Sequence, residues 1–126
     1  MQKSDLIKKW LNEGIITDEE VLKAFQKIKR EDFVLKKYRN RAYEDVPLPI
    51  DFGATISQPT TVIIMTQELE VKNGHKVLEV GTGSGYQAAL LSLLVGERGK
   101  IYTTEIIPEL VEFARENLKN FKNTEI

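Results

Sequence analysis

Lys76-Val77-Leu78-Glu79-Val80-Gly81-Thr82-Gly83-Ser84-Gly85-Tyr86 joins a short apolar run of strand character to a glycine-rich turn, and an apolar helical pattern follows at once. That order predicts a cofactor site at the carboxyl end of a parallel strand. Gly81, Gly83 and Gly85 let the backbone turn tightly and approach a ligand where a β-carbon would collide. No Lys-Ser or Lys-Thr pair follows to complete a nucleotide-triphosphate loop, and the Gly-x-Gly-x-Gly spacing departs from the dinucleotide pattern Gly-x-Gly-x-x-Gly.

Toward the carboxyl end, Ala88, Ala89, Leu91, Leu94 and Val95 lie on the helix after the glycines. Ile101 to Thr104 read as a second strand ending at Glu105. Pro108 opens a further helix carrying Leu110, Val111, Phe113, Ala114 and Leu118, and Thr124-Glu125-Ile126 read as the first residues of a third strand. The pattern β–turn–α–β–α–β is a right-handed α/β crossover unit. Only one neighbour of the first strand is encoded, so the sheet is expected to be incomplete.

Toward the amino end, Leu6, Ile7, Trp10 and Leu11 recur at helical spacing up to Gly14, with Trp10 read as a core or interface residue. Thr17-Asp18-Glu19-Glu20 reads as a capping box before a second helix with Val21, Leu22, Phe25 and Ile28 inside. Pro47, Pro49 and Gly53 make Tyr43 to Gln58 a structured connection rather than a helix. Pro59 suits the first turn of the next helix, whose expected inward face is Val62, Ile63, Met65, Thr66 and Leu69. Asn73-Gly74 then turns the chain into the strand. Residues 1–58 are thus expected to form a helical lobe with a substrate-side connection, and residues 59–126 the first part of a cofactor-binding α/β domain.

At 126 residues with a formal charge of −1, the chain has a modest core and no general attraction for nucleic acid or membrane surfaces. The lysines and arginines of the first third form no continuous basic block and read as a solvated helical surface. Having no cysteine, the chain has no disulfide, thiolate catalysis or cysteine-ligated metal. Nothing resembles a membrane span or signal peptide, so a cytoplasmic protein is expected.

Glu79 stands unexpectedly near the apolar strand's end. Two readings are open: it caps amides of the glycine turn, or it orients a bound cationic cofactor. Glu105, on the same carboxyl edge, would alone be a surface acid; with the glycine turn it becomes a candidate acceptor for both ribose hydroxyls of an adenosine cofactor. That serves nicotinamide dinucleotide and S-adenosylmethionine equally. His75, the only histidine, has no clustered partners for a metal. Ser57, in Thr55-Ile56-Ser57-Gln58-Pro59, sits beside a helix amino end, where its hydroxyl either caps amides or binds a substrate carboxylate. No histidine stands near it in sequence, which favours positioning over covalent attack.

The sequence closely resembles the protein-L-isoaspartate O-methyltransferase family. The resemblance runs through Lys29-Arg30-Glu31-Asp32-Phe33-Val34, Ala42-Tyr43-Glu44-Asp45-Val46-Pro47-Leu48-Pro49-Ile50, Thr55-Ile56-Ser57-Gln58-Pro59 and the stretch from Val77 to Gln87. Many methyltransferases share the glycine turn; few share this preface. The resemblance implies a class I S-adenosylmethionine-dependent, Rossmann-like fold preceded by a small helical lobe. It further implies a turn, Gly81, Thr82, Gly83, Ser84 and Gly85, that wraps the amino-acid part of S-adenosylmethionine, with Glu79 beside it and Glu105 on the ribose. Ser57 would stand at the substrate side of the transferred methyl, with Thr55 and Ile56 lining that side. S-adenosylhomocysteine would be the product. The implied substrate is an isoaspartyl residue in a damaged protein or peptide, methylated on its free α-carboxylate; no metal, nucleic acid or membrane takes part.

Two features depart from the family's usual Gly-x-Gly-Gln before Thr-Ile-Ser: Asp51 adds a negative charge and Ala54 removes a polar side chain. The family also commonly has proline where Lys29 sits. These changes bear on substrate preference more than on cofactor binding. Family members continue well beyond this length, so the chain is expected to be an amino-terminal portion, truncated at the start of the third strand. The full enzyme is expected to be a monomer, and the shorter chain inactive and able to self-associate. The alternatives are a class I methyltransferase with a different acceptor, and an interaction module pairing through its unfinished sheet.

Overall fold

The computed structural model describes residues 1–126. Helix α1 (Lys3–Asn12) starts where the Gln2 amide donates to Asp5 Oδ2 at 2.7 Å. Helix α2 (Glu19–Lys27) is capped by Asp18, not Thr17: Asp18 Oδ1 accepts from the Glu20 and Val21 amides at 2.9 and 3.2 Å. A carboxylate there satisfies two orphan donors and faces the positive end of the helix dipole. The Thr17 amide is engaged elsewhere, donating to Gln67 Oε1 at 2.8 Å. Lys3 Nζ donates to the Gln26 and Ile28 carbonyls at 2.7 and 2.8 Å, fastening α1 to the carboxyl end of α2. Trp10 is a core residue, edge-on to Phe25 with 4.7 Å between ring centres.

Two 3₁₀ turns (Arg30–Phe33 and Lys36–Arg41) lead to a short antiparallel hairpin, β1 (Leu48–Pro49) and β2 (Thr55–Ile56), in which Leu48 pairs with Ile56 and Pro49 with Thr55. The proline-broken connection is therefore a built element. Helix α3 (Pro59–Glu68) begins at the expected proline and buries Pro59, Val62, Ile63 and Thr66. Met65 and Leu69, expected inside, are 63% and 53% exposed. At 3.6 residues per turn the buried four fall in one arc, which leaves Met65 outside it and Leu69 past the helix end.

Beyond α3, the crossover unit forms as the sequence predicts: β3 (Lys76–Val80), α4 (Tyr86–Val95), β4 (Lys100–Thr104), α5 (Pro108–Leu118) and β5 (Thr124–Glu125). The strands are parallel in the order β3-β4-β5, so β3 has a hydrogen-bonded neighbour on one edge only. Val77 and Glu79 share a face with Ile101 and Thr103, the face that α4 covers; Leu78 and Val80, 67% and 83% exposed, are on the other. Helix α4 is apolar nearly all round because it lies between this sheet and α2, and a helix covered on both sides needs no polar stripe. The larger apolar core draws on both parts of the chain, from Ala24 and Phe33 through Ile50 and Ile56 to Leu90, Ile101 and Leu118. No helix is long and apolar enough to cross a membrane. The lone histidine has a local role: His75 Nδ1 accepts from the Lys72 amide at 3.0 Å and closes the turn before β3.

Candidate active site

The glycine turn leaves β3 with Gly81, Gly83 and Gly85 all in the left-handed region, at φ 94°, 55° and 88°. Their surroundings differ. A β-carbon at Gly81 would meet nothing within 4 Å, one at Gly83 would lie 3.5 Å from Ile50 Cδ1, and one at Gly85 would press to 2.9 Å on Leu118 Cγ. Gly81 is thus open toward solvent, Gly83 seats the hairpin, and Gly85 seats α5. The side chains between them serve the fold. Buried Thr82 shares a hydrogen bond with Thr103 at 2.6 Å, and buried Ser84 accepts from the Tyr86 amide at 3.2 Å. With both side chains buried, the open part of the turn is the backbone at Gly81.

The two carboxylates divide the work differently from the sequence-based readings. Glu79 caps no amide of the turn; its Oε1 accepts from the Thr103 hydroxyl at 2.6 Å. The cap is Glu105, whose Oε1 accepts from the Gly83 amide at 2.9 Å while Oε2 accepts from the Ile106 and Ile107 amides at 3.1 and 3.3 Å. Burial raises the Glu79 carboxyl to about 7; the Thr103 hydrogen bond opposes that rise, and the negative charge of Glu105 adds to it.

A raised carboxyl has a defined consequence for stability. The protonated form is favoured by the fold, so the contribution of Glu79 is fully present below its ordinary value of 4.5 and is lost as pH rises through about 7. The loss amounts to roughly 3 kcal/mol, at about 1.4 kcal/mol per pH unit. Glu79→Gln should match the unsubstituted protein at pH 4 and exceed it by about 3 kcal/mol at pH 8, measured by urea denaturation across that range. Equal stability of the two at pH 8 would show that Glu79 ionises freely.

The substrate-side segment alternates: Thr55 and Ser57 are exposed, while the Ile56 side chain is 4% exposed and belongs to the core. Of the two readings of Ser57, the amide cap is already supplied. Asp45 Oδ1 accepts from the Thr60 amide at 2.9 Å and Asp45 Oδ2 from the Thr60 hydroxyl at 2.6 Å, leaving the Ser57 hydroxyl without an internal partner. Burial works to raise the Asp45 carboxyl, but the Thr60 bonds and Lys9, 3.1 Å away, outweigh it and hold the carboxyl below its usual range. The Ser57 carbonyl, in contrast, is held: Arg30 Nη2 donates to it at 2.9 Å. The hairpin turn gives the departure at Asp51 a cost, since Asp51 has φ 77° and is followed by Phe52 at 54° and Gly53 at 73°. A glycine is the unstrained residue there.

Arg30, Asp45, Ile50 and Thr103 are the residues of this region that sequence reading did not assign. Arg30, Asp45 and Ile50 stood in the segments that carry the family resemblance, without a role attached; Thr103 carried a signal of its own, as the strand position that an in-register parallel neighbour would set beside Glu79.

Fold and site together define a class I, Rossmann-like methyltransferase fold. A family model described as protein-L-isoaspartate(D-aspartate) O-methyltransferase matches residues 1–126, and the chain belongs to that family. A protein-L-isoaspartate O-methyltransferase of Ignicoccus hospitalis is 52% identical over 118 residues, covering 94% of this chain and 56% of the relative. That of Pyrobaculum islandicum is 49% identical over 114 residues, covering 90% and 55%. Among solved structures, a protein-L-isoaspartate O-methyltransferase superposes with a TM-score of 0.83 at 31% identity, over 98% of this chain and 40% of that one. A Plasmodium falciparum beta-aspartate methyltransferase structure in complex with S-adenosyl-L-homocysteine gives 0.83 at 27% identity, over 97% and 60%. The chain spans about half the length of the curated relatives it matches.

Proposed function

We propose that this chain carries the cofactor loop and substrate-side serine of a protein-L-isoaspartate O-methyltransferase, which transfers methyl from S-adenosylmethionine to the free α-carboxylate of isoaspartyl residues in damaged proteins. The reading includes a cytoplasmic, monomeric enzyme. One observation supports it above the rest: the hairpin that ends at Ile56, just before the exposed Ser57 with its unpartnered hydroxyl, seats Ile50 against Gly83 of the glycine turn. The residues present fit the cofactor. Gly81 offers backbone with open space above it, Glu105 offers a carboxylate already fixed by three amides, and Glu79 offers a second, partly buried one.

Bound S-adenosylmethionine supplies a methyl group activated by a positive sulfonium. Glu105 would accept from the ribose hydroxyls, and the Gly81 backbone would lie against the amino-acid portion. Glu79, ionising beside that cation, would favour it. The Ser57 hydroxyl would donate to one oxygen of the acceptor carboxylate and leave the other to react. A carboxylate is ionised at neutral pH, so the site needs no strong general base. Orientation and exclusion of water carry the reaction.

Calorimetric titration of this chain with S-adenosylmethionine, with NADH as control, tests the cofactor; a peptide pair differing only in an aspartyl or isoaspartyl linkage, given to an enzyme of the relatives' full length that carries this chain, tests the acceptor. Selective binding and methylation of the isoaspartyl peptide alone are expected, whereas NADH binding or indifference to the linkage would overturn the proposal. Ser57→Ala should lower methyl transfer by about tenfold or more, the worth of one hydrogen bond to a charged group, with cofactor affinity little changed. Equal losses in both would make Ser57 a structural residue.

A further inference from the structure

The conspicuous side chain outside this machinery is Arg30. It is 0% exposed, and no carboxylate pairs with it. Its Nε donates to the Ala42 carbonyl at 2.7 Å and its Nη2 to the Ser57 carbonyl at 2.9 Å. The guanidinium carbon lies 5.2 Å from the centre of the Tyr86 ring. Tyr86 is the first residue of α4, immediately after Gly85, and Phe33 packs edge-on to the same ring at 5.5 Å. Two polar atoms here are buried with no partner, Arg30 Nη1 and Tyr86 Oη.

A buried cation without a counter-ion is expensive, and burial accordingly lowers the Arg30 pKa. A neutral amide could satisfy one of the two carbonyls without that penalty. What only a planar, rigid fork does is fix two carbonyls in one plane while stacking on an aromatic face. Those contacts join three segments far apart in sequence: the end of the second 3₁₀ turn, the residue carrying the free hydroxyl, and the helix that the glycine turn enters.

We propose that Arg30 is a positioning residue for methyl transfer: its guanidinium clamps the Ser57 carbonyl against Tyr86 and thereby sets the serine hydroxyl in register with the cofactor turn. The proposal rests on the reading of Ser57 given above. Arg30 itself reaches neither cofactor nor acceptor. Its effect is geometric, and misplacement by about 1 Å is enough to lose up to roughly a hundredfold in rate.

Arg30→Lys is the informative variant, because it keeps the charge and the stem but has a compact donor that cannot span both carbonyls. Arg30→Gln, which removes the charge, is the companion variant if the lysine one folds poorly. In the enzyme of full length, methyl transfer to an isoaspartyl peptide should fall in kcat by about tenfold or more, while the Kd for S-adenosylmethionine stays within about twofold. Hydrogen exchange supplies a readout independent of activity. Amides from Ala54 to Thr60 and from Gly83 to Gln87 should exchange about tenfold faster, the equivalent of one lost hydrogen bond, with those of α1 unchanged. Uniform acceleration along the chain, or unchanged exchange in both segments, would overturn the clamp; an equal loss of kcat and cofactor affinity would reduce Arg30 to a fold residue. If the unsubstituted enzyme of full length methylates neither peptide, the functional reading falls, and the exchange pattern still decides whether Arg30 couples the two segments.

Discussion

Glu105→Ala should weaken binding of S-adenosylmethionine by about a hundredfold while leaving the protein folded. A hydrogen bond to a charged group contributes about 1.5–3 kcal/mol, and two ribose hydroxyls are at stake, against about 1.4 kcal/mol per decade of affinity. The carboxylate is held in place before any ligand arrives. Its oxygens accept from the Gly83, Ile106 and Ile107 amides, and with about four acceptor positions on a carboxylate the longest of these bonds, 3.3 Å to Ile107, is the one to yield. Because S-adenosylhomocysteine has the same ribose, its affinity should fall by the same factor. Glu105→Gln, which keeps one acceptor oxygen, should lose about tenfold. Loss of the cap on Gly83 should lower stability by about 1 kcal/mol. Calorimetry with both ligands, alongside a thermal melt, separates the effects. An unchanged affinity in a folded Glu105→Ala protein would remove Glu105 from the ribose.

How far the sequence announces this arrangement depends on the range of the interaction concerned. The crossover unit was legible because its signals are local: an apolar run, three glycines that tolerate positive φ, and a helix with no polar stripe. The resemblance through Pro47-Leu48-Pro49-Ile50 and Thr55-Ile56-Ser57 supplied the family, which composition and periodicity alone leave open. Local signals failed where two neighbours competed for one role, as when Asp18 took the cap expected of Thr17. They also misplaced Met65 and Leu69, because apolar character alone does not say where the buried arc of α3 lies. The hydrogen bonds that organise the site span larger separations. Asp45 reaches Thr60, Thr103 reaches Glu79 and Arg30 reaches Ser57, and no pattern within either segment of such a pair encodes the partner. Glu79 shows the consequence: its amide-cap reading fell only once the strand register put Thr103 beside it.

The three glycines of the turn look equivalent in sequence, yet substitution should separate them. Gly85→Ala should be the more damaging to the fold. Its alanine would hold φ 88° and press a β-carbon to 2.9 Å on Leu118 Cγ and 3.0 Å on Leu118 Cδ1. Left-handed strain of about 1 kcal/mol and overpacking of about 1–3 kcal/mol add to roughly 2–4 kcal/mol, which lowers the melting temperature by about 10–20 °C. Gly81→Ala shares the strain at φ 94° but meets nothing within 4 Å, so its loss of stability should stay near 1 kcal/mol. Its effect should fall on the ligand instead, since the added methyl fills the space through which the backbone is approached. Cofactor affinity should drop by more than about tenfold, as a single misplaced methyl in a close-packed contact readily does. Melting curves and calorimetric titration of the two variants give four numbers, and the pattern expected is crossed: Gly85→Ala unstable, Gly81→Ala stable but poor in binding. Affinity within twofold of the unsubstituted protein for Gly81→Ala would mean that the cofactor does not lie against that residue. An unchanged melting temperature for Gly85→Ala would mean that Leu118 moves aside freely and that the third glycine is there for the turn rather than for the packing of α5.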